Sequence, residues 1–125
     1  MKTLLAIVEQ GGYPNFTPLY ESLDYRVVTA PSMRKALGLI KQLKPDVITA
    51  EFIYSPMYSA RISNLESLFA ALQSQQINPQ LIIFIDKEEL HHLKKLEMQH
   101  YISNELTYPV NEEKLINCFT AAQID

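Results

Sequence analysis

Three carboxylates follow apolar segments that are typical of β-strands. Glu9 follows LLAIV (4–8), Glu51 follows DVITA (46–50) and Asp86 follows LIIFI (81–85). Carboxylate oxygens are the ligands that hard divalent cations prefer, and carboxylates held together without a cation repel one another. If the three strands are parallel, these acids lie on one rim of a sheet, where ligands of open α/β folds bind.

The elements that must position these acids alternate along the chain. Strand candidates rich in β-branched residues lie at 4–8, 25–28, 46–50, 81–85 and, in two weaker pieces, at 100–102 and 105–108. Segments of helical period separate them. Helix N-caps are expected at Thr17, Ser32, Ser63, Asp86 and Asn111. This alternation predicts a doubly wound α/β fold, with a parallel sheet and helices on both faces.

Length and composition exclude several classes of protein. The 125 residues suit one domain, 1–125, and a net charge of −3 gives no general attraction to nucleic acid or to an anionic membrane surface. No apolar segment approaches the ~20 residues of a membrane span, so a cytoplasmic location is expected. The lone Cys118 lies on an apolar helix stripe with Leu115 and Phe119, which favours a buried side chain.

Two fragments resemble a known family. KPDVITAE (44–51) and LTYPVNEEKL (106–115) are similar to segments of the receiver domains of bacterial two-component response regulators, the CheY-like group. The resemblance covers nearly the whole chain. It implies a flavodoxin-like sheet of five parallel strands in the order 2-1-3-4-5.

The positions at which this family carries its functional residues hold different residue types here. By resemblance, the phosphoacceptor aspartate corresponds to Glu51, the Mg²⁺-binding acidic pair to Glu9 and Gln10, the hydroxyl residue to Asp86, the conserved lysine to Tyr108 and the switch aromatic to Glu105. An acyl phosphate needs Mg²⁺ and a cation to neutralise the phosphoryl oxygens, but Tyr108 and Asp86 supply neither charge. We therefore expect a degenerate receiver, a pseudo-receiver that is not phosphorylated by the usual route.

Glu51 has three interpretations. It could imitate a phosphorylated aspartate, or bind a divalent cation together with Glu9 and Asp86, for which Mg²⁺ is one candidate. In the third, Glu51 is a solvated residue at a strand end and Asp86 is a helix cap. The third is the simplest for each residue taken alone.

The segment after Glu51 is long for a loop of an α/β unit. It runs from 52 to 62, whereas such loops usually take roughly 2 to 6 residues. It holds candidate contact residues of the types enriched in interface cores, together with one cation: Phe52, Tyr54, Met57, Tyr58 and Arg61. These side chains either form an interaction loop or cover the rim.

Two functions compete on the sequence alone. The first is a stand-alone signalling module that binds a protein partner, with a homodimer through the helix 4–strand 5–helix 5 face as one form. The second is a small-ligand or divalent-cation domain that uses the rim of Glu9, Glu51 and Asp86. No nucleophile with an adjacent base is visible in the sequence, so an enzyme is not expected and no cofactor is required.

Overall fold

A computed structural model describes residues 1–54, 63–97 and 102–124 of the chain, with side chains up to residue 119. The elements, in chain order, are β1 (Lys2–Ile7), α1 (Thr17–Ser22), β2 (Tyr25–Ala30), α2 (Met33–Leu43), β3 (Val47–Glu51), α3 (Leu65–Gln75), β4 (Gln80–Ile85), a 3₁₀ turn (Lys87–Glu89), α4 (Leu90–Glu97), β5 (Asn104–Thr107) and α5 (Glu112–Ile124).

The strands form one parallel sheet in the order β2-β1-β3-β4-β5, which confirms the predicted fold class and strand order. β3 and β4 are buried on both sides, apart from the half-buried first residue of β4, because each face of the sheet is covered. The weak piece predicted at 100–102 is not a strand in its described part, Ile102. The fifth strand, Asn104–Thr107, corresponds to the second piece, predicted at 105–108.

Two hydrophobic clusters lie on the two faces of the sheet. Alternate residues of β1 show the division, since Leu5 packs with α2, α3 and α4 while Leu4 packs with α1 and α5. Cys118 is buried in the second cluster, as its stripe predicts. In the described ranges, no helix is long and apolar enough to cross a membrane.

The predicted caps differ in outcome. The one predicted at Thr17 is wrong, because Thr17 is the first residue of α1 and Phe16 holds the cap position. The Ser32 side chain accepts from the Lys35 amide, and the Asn111 side chain accepts from the Lys114 amide, so both caps are confirmed. Asp86 occupies the cap position of the 3₁₀ turn, but its side chain makes no cap hydrogen bond. Asp86 is exposed, so water can hydrate its carboxylate instead.

Candidate functional site

Glu51 is buried at the end of β3, with 1% of its surface exposed. One carboxylate oxygen, Oε1, accepts from the Gln10 amide at 2.8 Å. The other, Oε2, accepts from the Tyr13 hydroxyl at 2.7 Å and from the amides of Glu9 at 3.1 Å and Gly11 at 3.3 Å. The interpretation of Glu51 as a solvated residue is therefore wrong, because the chain supplies four donors in place of water.

The loop between β1 and α1 delivers these donors. Gly11 and Gly12 have φ values of 69° and 86°, in the left-handed region that glycine adopts readily. The turn aims successive backbone N–H groups at one point, which is the geometry of an anion-binding nest. In this protein the anion in the nest is the carboxylate of Glu51.

Glu9 lies beside Glu51, but its carboxylate turns to other donors. It accepts from the Met33 amide at 3.1 Å, in the first turn of α2, and from Nδ2 of Asn64 at 2.7 Å. A carboxylate at a helix N-terminus satisfies an orphan amide and is favoured by the helix dipole. Glu9 thus joins β1 to α2 and to the residue that precedes α3.

Asn64 is a central residue of the site that the sequence interpretation missed. Besides its bond to Glu9, Nδ2 donates to the Glu51 carbonyl at 2.8 Å, and Oδ1 accepts from the Ile53 amide at 2.9 Å. The motif SNLE (63–66) was a visible signal, but it pointed to Ser63 as the cap. Oε1 of Glu66 accepts from the Ser63 amide, as in a capping box, while Oγ of Ser63 accepts from the Leu65 amide. The Asn64 side chain is therefore available for the site.

The predicted acidic rim is only partly assembled. Glu9 and Glu51 meet, whereas Gln10 is exposed and contributes its backbone amide to Glu51. Asp86 is exposed at the end of β4. Among the residues whose side chains are described, no group of three or more His, Cys, Asp or Glu is placed to share a metal ion.

Tyr108, at the position that the resemblance assigns to a lysine, is half-buried beside Tyr13, and their ring centroids are 6.2 Å apart. Burial raises the pKa of Tyr108, and the negative charge of Glu51 raises it further. Burial and the hydrogen bond to Glu51 likewise raise the pKa of Tyr13. Both phenols are neutral at physiological pH and offer no positive charge to the rim.

The nearby ammonium group of Lys114 does not replace the missing lysine. Its Nζ donates to the carbonyl of Thr107 at 3.0 Å and to that of Pro109 at 2.9 Å. These bonds close the turn between β5 and α5, which includes the cis Tyr108–Pro109 peptide bond. The Lys114 side chain therefore stabilises the backbone of this turn through its hydrogen bonds to the two carbonyls.

Structure comparison finds many receiver domains that cover nearly the whole chain. The regulatory domain of the repressor of iron transport regulator RitR, in its inactive form, gives a TM-score of 0.73 at 17% identity, over 98% of this chain and 94% of that one. The chemotaxis response regulator CheY4 of Vibrio cholerae gives 0.71 at 21%, over 97% and 98%. A response regulator receiver domain protein from Clostridium thermocellum gives 0.70 at 20%, over 99% and 98%.

The chain has the fold of the response-regulator receiver domains. No protein-family model matches the sequence, and no curated protein matches it. The identities to the receiver structures lie near 20%, so the likeness establishes the receiver fold and leaves the site chemistry to this chain's own residues.

On β5 of the receiver fold, Glu105 occupies the position that the resemblance assigns to a switch aromatic. It is exposed and hydrogen-bonds to Glu97, the last residue of α4. That bond, partial burial and the charge of Glu97 raise the pKa of Glu105 to about 7, while Lys94 acts in the opposite direction. Two carboxyl groups can share a hydrogen bond only while one holds a proton.

We expect Glu105→Gln to raise the free energy of unfolding above that of the wild type at pH 8, and to raise it less, or not at all, at pH 5. Since the folded-state pKa is raised above the ordinary value of 4.5, the pair stabilises fully below pH 4.5, and this contribution is lost as the pH rises through 7. Glutamine keeps a hydrogen-bond donor without the charge. Solvent screening at this exposed position limits the gain at pH 8 to less than about 1 kcal/mol.

Thermal melts at several pH values between 4.5 and 8 measure this difference. Glu21→Gln, at an exposed carboxylate on α1, is the matched control for the loss of one surface charge. A wild-type profile parallel to that of Glu105→Gln would show that the pair holds no proton.

Of the predicted interaction loop, 52–62, the structure describes only residues 52–54. Phe52 is buried, with 5% exposed, because its amide continues the sheet pairing to the Phe84 carbonyl and its ring joins the core. Phe52 is therefore not a surface contact residue. Tyr54 is 38% exposed and stacks on His92 of α4, with centroids 4.0 Å apart. Met57, Tyr58 and Arg61 lie outside the described residues.

Proposed function

We propose that this chain is a pseudo-receiver signalling module, which binds a protein partner without being phosphorylated at Glu51. The observation that supports this most strongly is the set of four hydrogen bonds on the buried Glu51 carboxylate. The bonded carboxylate connects β3 to the β1–α1 loop, and we call this set of four hydrogen bonds the Glu51 joint. The position that the resemblance assigns to the phosphoacceptor therefore has a structural role.

Phosphotransfer needs an accessible carboxylate oxygen and charge to stabilise the transferred group. With 1% of Glu51 exposed, neither of its oxygens has an open approach for a phosphodonor. The neighbouring side chains of Tyr13 and Tyr108 are neutral phenols, and that of Glu9 carries a further negative charge. Each of these features opposes a phosphoryl group at this position.

Magnesium, which the receiver resemblance implies, does not fit the donors found here. Mg²⁺ requires close to octahedral coordination by oxygen atoms. The oxygens of Glu51 and Glu9 instead face backbone N–H groups, the Tyr13 hydroxyl and the Asn64 amide group. A cation at this point would meet donor hydrogens that repel it, and the resemblance supplies only one carboxylate of the usual pair.

Two exposed features support contact with a protein. Tyr54 and His92 form a stacked aromatic pair between the end of the β3 segment and α4. Ile116 on α5 is 39% exposed, and α5 belongs to the α4–β5–α5 surface that is proposed to meet a second copy of the chain. Aromatic and large apolar side chains dominate the centres of protein interfaces.

Affinity capture with and without Mg²⁺ and beryllofluoride, a phosphoryl mimic, tests this function. We expect the wild-type chain to retain the same proteins from an extract of its native host under both conditions. We expect one of two variants, Tyr54→Ala or Ile116→Glu, to lose these proteins. The other variant should still retain them and serves as its control. Retention that requires beryllofluoride, or retention that neither variant changes, would contradict the proposal.

A further inference from the structure

A cavity of about 270 Å³ lies between one face of the sheet and the β1–α1 loop. Its floor contains one register row of three small side chains, because Ala6 of β1 pairs with Thr29 of β2 on one side and with Thr49 of β3 on the other. In a sheet covered by helices, such a row leaves space unless a large side chain fills it from above.

The helix above this row is too short to fill the space. α1 has six residues and begins ten positions after the last residue of β1. Its buried residue, Tyr20, lines the cavity. The loop residues before the helix form the rest of the roof, so the cavity follows from a late and short α1.

Aromatic rings form much of the wall. Tyr13 meets Phe84 edge to face, with centroids 5.1 Å apart and planes at 86°, and lies nearly parallel to Phe16 at 6.1 Å. Tyr20 is a fourth ring, tilted against Phe16. Rings placed at fixed mutual angles favour a flat guest that can stack on one and meet the edge of another.

The residues that line the cavity favour a neutral ligand over a charged one. Tyr20 and Thr49 are hydrogen-bonded through their side chains at the floor, and Thr29 adds a hydroxyl in the same row. None of the residues that line the cavity is charged. A buried charge without a partner costs several kcal/mol, so a neutral guest with one or two polar atoms fits best.

We propose that this cavity binds a small neutral molecule built on one planar ring with a hydrogen-bonding substituent. The volume supports this size, since a cavity of about 150 Å³ already holds benzene. The site is separate from the carboxylates of Glu9 and Glu51, and its existence does not depend on whether the chain binds a protein partner.

Tyr13 connects the cavity to the Glu51 joint. Its ring lines the cavity while its hydroxyl donates to Glu51 Oε2 at 2.7 Å. A guest that displaces the ring therefore changes the hydrogen bonding of Glu51, and with it the β1–α1 loop. Occupancy of the cavity would act on the rim in place of phosphorylation.

A thermal melt with p-cresol, a neutral phenol, tests the cavity. For a dissociation constant near 1 mM, 5 mM p-cresol should raise the wild-type Tm by about 2 to 5 °C. Val8→Phe places a ring in the cavity from the residue that follows β1 and should abolish the rise. Val28→Phe is the matched control, because Val28 is half-buried and packs into the cluster on the opposite face of the sheet.

Thr29→Phe, at an exposed position of the edge strand β2, fills the cavity a second way if Val8→Phe fails to fold. Benzoate, a charged ring of similar size, should give no rise. The coupling through Tyr13 predicts that p-cresol shifts the backbone amide resonance of Gln10 in the wild type, and shifts it less in Tyr13→Phe. No rise in the wild type, an equal rise with the cavity filled, or an equal rise with benzoate would overturn the proposal.

Discussion

Glu51→Gln is expected to lower the Tm at pH 7 by roughly 8 to 15 °C, which corresponds to a loss of about 2 to 4 kcal/mol in the free energy of unfolding. Both carboxylate oxygens accept hydrogen bonds, and Oε1 and Oε2 each face a backbone N–H group. A glutamine side chain must turn its NH₂ group toward one of these donors. The substitution therefore loses hydrogen bonds and leaves a buried donor opposed to another donor.

Thermal and urea unfolding measure this loss, and two variants act as controls. Asp86→Asn removes an exposed carboxylate from the same predicted rim and should change the Tm by less than about 2 °C. Tyr13→Phe removes one of the four donors and should cost about 1 kcal/mol. If Glu51→Gln were as stable as the wild type, the carboxylate would have no structural role.

Asn64→Ala is expected to cost about 2 to 3 kcal/mol, or roughly 7 to 11 °C in Tm. The change removes three hydrogen bonds, to the Glu9 carboxylate, the Glu51 carbonyl and the Ile53 amide. Water reaches these groups poorly, since Glu51 is buried and the other two are half-buried. The variant thus disconnects the joint from the segment that leads into α3.

The control for Asn64→Ala is Asn78→Ala, at an exposed asparagine between α3 and β4. It should change the Tm by less than about 2 °C. Equal Tm values for the two variants would show that Asn64 is not part of a cooperative network. Combining Asn64→Ala with Glu51→Gln should cost less than the sum of the two, because both act on one set of bonds.

The fold was predictable because its signals are local and repeat along the chain. The apolar runs of β3 and β4 and the caps at Ser32 and Asn111 each point to the observed element. The fifth strand was harder to place, because β5 has four residues and none of them is buried. Its weak periodicity allowed a second candidate at 100–102.

The candidate site was predictable only in outline. Parallel strands place Glu9 and Glu51 on one rim, and the structure brings them together. The burial of Glu51 was not predictable, since it depends on backbone amides about 40 residues earlier in the chain that converge through a glycine turn. The sequence does not reveal which backbone amides point at a carboxylate. Tyr13 and Asn64 lie 38 and 13 residues from Glu51 along the chain, so their hydrogen bonds to it were missed as well.

The central claim is that the chain's own amides occupy the Glu51 carboxylate, and amide hydrogen exchange at Glu9, Gln10 and Gly11 tests it most directly. At pH 7 the three amides should exchange at least about 100-fold more slowly than the amide of exposed Gly12. Their rates should stay the same in Mg²⁺ and beryllofluoride. Exchange as fast as that of Gly12, or rates that change with the phosphoryl mimic, would contradict the claim and would return Glu51 to the role of an accessible acceptor.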